Sequence, residues 1–367
     1  MNWRAKLISW LVIPLLLFGC APNSDLWGIT LGSAPIPTGT FSPLPAETAT
    51  STAFPTPLLS FDLASPSGTT QDGPATVTPA PTTPADSIQR VLIVSFDGLR
   101  PDAIEKAPMN NLIEFMQSSA YTLNAQTIFP STTLPSHSSM LLGTCVARHH
   151  VIWDEYLPVN GFARGVDLFD LAHAASLRTV MIVGKEKLRQ ISEPSSTDIF
   201  EAYDFTGLKT HEMAEERITP RAVEEIEAGF GLMFVHFPSA DLVGHKEGWM
   251  SIQQLSTLRK ADVFFGELLT ALDENELRAS TLIIVSSDHG GHDTTHGLDV
   301  PEDMTIPWII SGPGIRPMQL TTDVQTMDTA VTVAHALRLP IPSEWQGRLV
   351  TEAFGLPVSD DEVVVCH

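Results

Sequence analysis

Three separated segments carry aspartate and histidine at spacings that suit metal ligation: Asp97-Gly98, Asp241-Leu242-Val243-Gly244-His245, and Asp288-His289-Gly290-Gly291-His292 with His296-Gly297 close behind. Taken singly, the first two are ordinary. An Asp-Gly pair most often makes a turn, and an Asp and His four apart commonly pair on a helix surface or cap one. The third is harder to explain as packing, because an acid, two histidines and two glycines follow an apolar run. Convergence of all three on one place would give a cluster of carboxylate and imidazole donors with no thiolate. Such donors suit two zinc ions, with manganese or iron as alternatives. Two adjacent cations clamp a phosphoryl group and stabilise its entering and leaving oxygens.

That chemistry needs a nucleophile, and Thr133 is the candidate. It stands in Phe129-Pro130-Ser131-Thr132-Thr133-Leu134-Pro135-Ser136-His137. Pro135 fits the first turn of a helix that Ser136–Leu142 continues to Gly143. Thr133 would then lie at a helix N-terminus, where free backbone N–H groups favour an anionic phosphoryl group. A nearby cation would lower the pKa of its hydroxyl. The alternative is a plain N-cap.

The elements that must position these residues are legible in the apolar pattern. Val91–Phe96, Thr179–Val183, Leu232–Phe237, Thr281–Ser286 and Ile306–Ile310 are β-branched-rich runs without strict alternation, as expected of strands covered on both faces. Helical patterns over Asp102–Gln117, Leu168–Ser176, Thr219–Ala228 and Ile252–Glu274 lie between them. Strands alternating with helices predict an α/β fold with a mostly parallel central sheet and helices on both faces. Sites in such sheets lie beyond the carboxyl ends of the strands. Val91–Phe96 runs into Asp97, Leu232–Phe237 towards Asp241 and His245, and Thr281–Ser286 into Asp288 and His289.

These motifs resemble those of the alkaline phosphatase superfamily, closest to its type I phosphodiesterase/nucleotide pyrophosphatase branch. That branch has an Asp-Gly after its first strand, a Thr-Phe-Pro-Asn-His nucleophile motif, an Asp-x-x-Gly-His motif, a Ser-Asp-His-Gly motif and a late His-Gly. Here they read Asp97-Gly98, Thr133-Leu134-Pro135-Ser136-His137, Asp241-Leu242-Val243-Gly244-His245, Ser287-Asp288-His289-Gly290 and His296-Gly297, in the same order. The resemblance implies an alkaline-phosphatase-like three-layer sandwich. It also implies that Asp97, Thr133, Asp288 and His289 hold one zinc and Asp241, His245 and His296 the other. Thr133 would pass through a phospho-threonine in hydrolysing phosphodiester or pyrophosphate bonds of nucleotide-like substrates. His292 is the rival to His296. His137 matches a position that is not a ligand, while His149, His150, His236 and His335 match no motif and are expected to be loop or core residues. The branch usually places an Asn after the nucleophile helix as a donor to the phosphoryl oxygen. Asp154 occupies that position, and an ionised carboxylate there would repel phosphate.

Competing activities follow from the same site. A phosphomonoesterase would add a basic group, for which Arg148, Arg164 and Lys185 are candidates. A phospholipid headgroup hydrolase or transferase would share the core. A sulfatase would need a Cys-x-Pro-x-Arg segment, and Cys145-Val146-Ala147-Arg148 lacks the proline. A non-catalytic surface binding protein is disfavoured by the complete ligand set. Trp153, Tyr156, Phe162 and Phe205 are candidates for stacking on a base or aryl group, and the polar segment Glu186–Glu216 for covering the site.

The remaining sequence predicts where the protein works. Residues 1–20 read as a signal peptide, with Arg4 and Lys6 ahead of an apolar run and Leu17-Phe18-Gly19-Cys20 resembling a bacterial lipobox. The run is too short for a comfortable membrane span. Cys20 is the expected lipidation site of a cell-surface lipoprotein, with simple secretion as runner-up. Residues 21–86 are rich in Pro, Thr, Ser and Ala and hold no Lys, Arg or His, a composition that reads as an extended stalk. Residues 87–367 form the expected hydrolase domain and carry all 12 histidines. A net charge of −22 over 367 residues excludes a general nucleic-acid binder, which needs a basic face. It leaves room for a small phosphorylated substrate at a local cationic site. Cys145 and Cys366 are open between a disulfide and free thiols, and the sequence does not fix the oligomeric state.

Overall fold

The structure, a computed structural model, describes residues 88–203, 205, 213–359 and 363–366. The predicted leader, Cys20 and the stalk lie outside the described residues. Among the described residues no helix is long and apolar enough to cross a membrane.

All five predicted strands form. They are β1 (Arg90–Phe96), β3 (Thr179–Val183), β5 (Leu232–Phe237), β6 (Thr281–Ser286) and β7 (Thr305–Ser311). Three more join them: β2 (Ala120–Gln126), β4 (Ile199–Ala202) and the two-residue β8 (Met318–Gln319). The strand order is β4-β3-β5-β1-β6-β7-β2-β8. Every strand runs the same way except β7, which is antiparallel to both β6 and β2.

Side chains alternate between the two faces along each strand, and two separate cores result. On one face Val91, Ile93, Phe234, Ile284 and Trp308 pack under α3 (Thr133–Leu142), α5 (Leu168–Ala174) and α10 (Asp328–Ala336). On the other, Leu92, Val94, Val235, Ile283 and Ile309 pack under α2 (Asn110–Gln117), α6 (Glu215–Ala228) and α8 (Ile252–Glu274). The result is the expected three-layer sandwich, with two one-turn helices, α4 (Val146–His149) and α9 (Pro301–Met304), in its connections.

Two helices differ from expectation. The span Asp102–Gln117 forms two helices, α1 (Ala103–Lys106) and α2, because Pro108 disfavours helical backbone at Ala107. Helix α6 starts at Glu215 rather than Thr219 and carries Pro220 inside it. Its early start is held by tertiary contact, as buried Glu215 accepts hydrogen bonds from the Ser239 N–H (3.1 Å) and hydroxyl.

Strand register sets the site. Phe96 is aligned with Phe237 and Ser95 with Ser286, so β5, β1 and β6 end together in the middle of the sheet. Val183 is aligned with His236, which brings the end of β3 beside them. Four contiguous strands therefore deliver their following residues to one edge: Lys185 after β3, Asp241 after β5, Asp97 after β1, and Asp288 after β6.

Candidate active site

Helix α3 brings Thr133 to this edge. Thr132 is the N-cap in extended conformation and Thr133 is the first helical residue, so Thr133 is not the cap itself. The helix is tied to β1 by His137, whose Nδ1 donates to the Thr133 carbonyl (2.8 Å) and whose Nε2 accepts from the Ser95 hydroxyl (2.8 Å). His137 is thus structural, and His149, bonded to the Ser139 hydroxyl at 2.9 Å, is a core residue too.

Asp241 and His245 lie one turn apart on α7 (Ser239–Glu247), a helix the sequence reading left open. The helix sits close to Trp249, and this requires Gly244: a Cβ there would lie 2.9 Å from the indole. Gly291 is constrained likewise, since its Cβ would come within 2.2 Å of the same ring. Trp249 donates its Nε1 hydrogen to the Gly98 carbonyl (3.0 Å) and meets the rings of His245 and His296 edge-on. It was not singled out in the sequence, yet it wedges all three predicted metal-binding segments into register.

Three histidines share one arrangement. His245, His289 and His296 donate from Nδ1 to the carbonyls of Thr294 (3.0 Å), Gly290 (2.8 Å) and Ser131 (2.9 Å). Their Nε2 lone pairs are left facing the carboxylates. His245 Nε2 is 3.4 Å and His296 Nε2 3.6 Å from Asp241 Oδ1, and the two nitrogens are 3.1 Å apart. His289 Nε2 lies 3.2 Å from Asp288 Oδ2, 3.5 Å from Asp97 Oδ1 and 3.5 Å from Thr133 Oγ1. Fixing the tautomer through the opposite ring nitrogen is how proteins orient metal-binding histidines.

His292 is arranged differently. Its Nδ1 bonds Asp303 Oδ1 at 2.7 Å, and Asp303 Oδ2 accepts from the Leu298 N–H at 2.9 Å. The pair clamps the loop that carries His296. His236 was expected to be an ordinary core residue. Instead its Nδ1 accepts from the Gly184 N–H (3.2 Å) and its Nε2 donates to Asp97 Oδ2 (2.8 Å), so it orients a candidate ligand. Its place inside an apolar strand, three residues before the Ser239 that opens α7, was the one available signal.

The electrostatics suit bound cations. Asp97 Oδ1, Asp241 Oδ1 and Asp288 Oδ2 are buried and have no hydrogen-bond partner. Burial and the charges of Asp97 and Asp241 push Asp288 well above the usual carboxylate range. Burial opposes ionisation of Asp97 as well, but Lys185 and the His236 hydrogen bond hold its carboxyl well below that range. His296 is lowered to about 4 by burial and by His289, so it is neutral and able to ligate at neutral pH. Two triads of donor atoms lie within 4.8 Å of one another, Asp241–His245–His296 and Asp97–Asp241–His289. Oxygen and imidazole donors with orphaned lone pairs suit divalent cations of the zinc class.

Lys185 enters the same centre. Its Nζ lies 2.6 Å from both Asp97 Oδ2 and Asp241 Oδ2 and 3.1 Å from Thr133 Oγ1. Burial would lower its pKa, but Asp241, Asp97 and Asp288 raise it above the ordinary value. Asp154 is held by two contacts: its Oδ1 accepts from the Leu134 N–H (2.7 Å), and its Oδ2 pairs with Lys187 Nζ (2.8 Å). A cavity of about 520 Å³ opens over Thr133, lined by Asp154, Tyr156, Lys185, Lys187 and Phe205 among others. Trp153 instead packs against the core and donates to Gln190 (3.3 Å). Cys145 is bonded to Cys366, so it is not a sulfatase-type nucleophile.

An α/β sandwich with Asp and His gathered beyond the carboxyl ends of its central strands, and a threonine at a helix N-terminus among them, has the architecture of the alkaline phosphatase superfamily. The chain belongs to the type I phosphodiesterase/nucleotide pyrophosphatase family, whose model matches residues 91–306. It is 25 % identical over 289 residues to the human GPI ethanolamine phosphate transferase 2 catalytic subunit, covering 73 % of this chain and 28 % of that protein. It is 22 % identical over 227 residues to the bis(5'-adenosyl)-triphosphatase enpp4 of Xenopus laevis, covering 56 % of this chain and 47 % of that one. The chain thus spans less than half the length of either relative. Among solved structures, murine ectonucleotide pyrophosphatase/phosphodiesterase 5, in an inactive form in complex with AMP, superposes with a TM-score of 0.60 at 15 % identity, covering 74 % of this chain and all of that one. A 2-O GAG sulfatase superposes with a TM-score of 0.63 at 14 % identity, covering 75 % and 76 %. Both share the fold.

Proposed function

We propose that the protein hydrolyses phosphoric ester or anhydride bonds of small phosphorylated substrates by attack of Thr133 on phosphorus, at a centre holding two divalent cations. The observation that carries this reading is the position of Thr133 Oγ1. It lies 3.5 Å from His289 Nε2 and 3.1 Å from Lys185 Nζ, beside three buried carboxylates that each keep an oxygen without a partner. Family membership favours phosphodiester and pyrophosphate bonds. The inactive form of the mouse neighbour carries a threonine-to-alanine substitution, which agrees with a threonine nucleophile.

Asp97, Thr133, Asp288 and His289 would hold one cation, and Asp241, His245 and His296 the other. Zinc fits the donors, with manganese or iron as alternatives. When bound, the cations neutralise the phosphoryl oxygens and lower the pKa of the threonine hydroxyl. Thr133 Oγ forms a bond to phosphorus in line with the departing ester or anhydride oxygen, whose bond breaks. Water then displaces Thr133 from the phospho-threonine and returns its hydroxyl. The rigid placement of Thr133 as first residue of α3 supplies the near-attack geometry.

The test is hydrolysis of an aryl phosphodiester, an aryl phosphomonoester and pyrophosphate by the full-length chain supplied with zinc, with metal content measured. Activity is expected with about two zinc per chain. Thr133→Ala should lose at least about 10³-fold in kcat while keeping its fold. No metal and no hydrolysis of any substrate would leave the surface binding protein as the better reading.

We further infer a cell-surface lipoprotein anchored through Cys20. The leader and stalk sequences support this, and so does the Cys145–Cys366 bond, since disulfides persist in oxidising compartments. The full chain should partition with detergent or membrane, and Cys20→Ser should release it. Equal partitioning of the two proteins would refute lipidation there.

A further inference from the structure

Ile152, Tyr156, Leu157 and Val159 are four of the twelve large apolar side chains exposed among the described residues, and they fall within eight consecutive positions. Ile152 is 78 % and Val159 92 % exposed. The segment is held in this state. Val151 is buried and Trp153 packs against the core, while Ile152 between them stands in water. Pro158–Asn160 forms a 3₁₀ turn at the tip. Buried Gln190 ties the limbs beneath it: its Oε1 accepts from the Leu157 N–H (2.7 Å), its Nε2 donates to the carbonyls of Leu157 (2.7 Å) and Gly161 (2.6 Å), and its own carbonyl accepts from the Ala163 N–H (2.7 Å). A loop fixed in this way cannot turn its aliphatic tip inward, so the apolar surface stays in water until something covers it. At its base, exposed Arg148, His150 and Arg164 line one cavity of about 350 Å³, and the Arg164 N–H donates to the His149 carbonyl (3.0 Å). These arginines do not line the cavity over Thr133, and neither has an ion pair among the described residues.

We propose that residues 152–159 form a docking tip for a phospholipid surface, with the aliphatic side chains entering the acyl boundary and Arg148 and Arg164 taking headgroup phosphates. Three observations favour lipid. The apolar area is that of a few side chains, well short of the ~800 Å² a side that a stable protein interface needs, whereas shallow insertion needs only an apolar tip beside cations. Guanidinium groups match phosphate bidentately, and Glu155 and Glu344 offset their charge, so the phosphate that every phospholipid carries is the feature addressed rather than net surface charge. Glu155 and Tyr156 of the same loop also line the cavity over Thr133, so docking turns the mouth of the site towards the headgroup layer. The inference rests on the anchored reading above only for proximity: a lipid at Cys20 raises the local concentration of bilayer, so a weak contact suffices.

The experiment places an environment-sensitive fluorophore, bimane, on Val159→Cys in the full-length chain. Cys145 and Cys366 are bonded to each other and Cys20 carries lipid on the anchored reading, so the introduced thiol is the free one. Val263→Cys is the control, because Val263 is exposed on α8, across the sheet from the loop. The vesicles are of phosphatidylethanolamine and phosphatidylglycerol, with brominated acyl chains as quencher. Emission at 159 should shift to the blue and be quenched, while emission at 263 should do neither. Ile152→Ser, or Arg148→Ala with Arg164→Ala, should each lower the docked-to-free ratio about tenfold or more. Melting temperatures check that the variants fold. Flotation with the vesicles reports the anchor and emission at 159 the loop, so the two readings fail separately. A tip that stays in water while the chain floats would overturn the inference and leave the anchor standing. Equal quenching at 159 and 263, or no response to either set of substitutions, would overturn it too. A blue shift at 159 that grows with protein concentration in the absence of vesicles would give the loop to a second copy of the chain instead. A chain that neither floats nor docks would overturn both readings.

Discussion

His245, His289 and His296 each spend Nδ1 on a backbone carbonyl and present Nε2 to the carboxylates, whereas His292 spends Nδ1 on Asp303. Sequence spacing could not separate His292 from His296, because both follow β6 within one loop. The separation lies in the partner of the other ring nitrogen, a three-dimensional fact. It predicts different outcomes for two similar substitutions. His296→Ala should lower bound zinc from about two to about one per chain. His292→Ala should keep the stoichiometry and weaken affinity by roughly 10- to 100-fold through loosening of the loop. Metal titration of both variants checks this, and a lost equivalent in His292→Ala would reverse the assignment. His236 and Trp249 escaped the sequence reading for a related reason. Their roles are to orient Asp97 and to wedge the glycine-containing segments, and neither role has a spacing of its own.

Helix α5 starts with a reciprocal cap in which both partners are acids. Asp167 accepts from the Phe169 N–H (2.7 Å) and Asp170 N–H (2.9 Å), and Asp170 accepts from the Asp167 N–H (3.0 Å). Burial, then the Asp170 charge, raises Asp167 to about 7. A carboxyl raised in the folded state binds a proton there that the unfolded chain has already lost. Its contribution to stability is therefore complete below the ordinary carboxylate range near 4 and is lost as the pH rises towards 7, by an amount on the order of 4 kcal/mol. Asp167→Asn keeps an acceptor for the cap and should flatten that part of the pH–stability curve. Denaturant melts of both proteins between pH 4 and 8 test it, and parallel curves would refute the shift. Buried Asp328, raised to about 6, contributes with the same sign, so only the difference between the two proteins reports on Asp167. At this scale the sequence was most legible where burial is complete. The five central strands read directly as apolar runs because helices cover both faces. Missed were β2, which is polar, half-exposed and interrupted by a register shift between Thr122 and Ala125, and the short edge strands β4 and β8. Helix α7 was missed because only Ala240 and Leu242 join the apolar core, while the rest of its inward side is Asp241 at the site and Gly244 against Trp249, which leaves little amphipathic signal.

The molecule's charge and its cross-link belong to one argument about where it is stable. Of the acidic residues behind the −22 total, Asp97, Asp241 and Asp288 sit buried at the centre of the sheet edge, where Lys185 pairs with the first two. Far along the chain, the tail residue Cys366 is bonded to Cys145 at the start of the helical turn Val146–His149 that follows α3. A small apolar cluster of Ile128, Met327, Cys145 and Cys366 surrounds the bond. The link spans 221 residues, and tying such distant points restricts the unfolded chain strongly. Reduction, or Cys145→Ser with Cys366→Ser, should therefore cost about 2–5 kcal/mol of unfolding free energy. Zinc content should change little, because the bond lies beyond the far end of α3 from Thr133. Thermal melts with and without reductant, together with metal analysis, read both quantities. An unchanged melting temperature would mean that the tail is held by its apolar contacts alone, and a loss of zinc on reduction would couple the cross-link to the catalytic edge through α3.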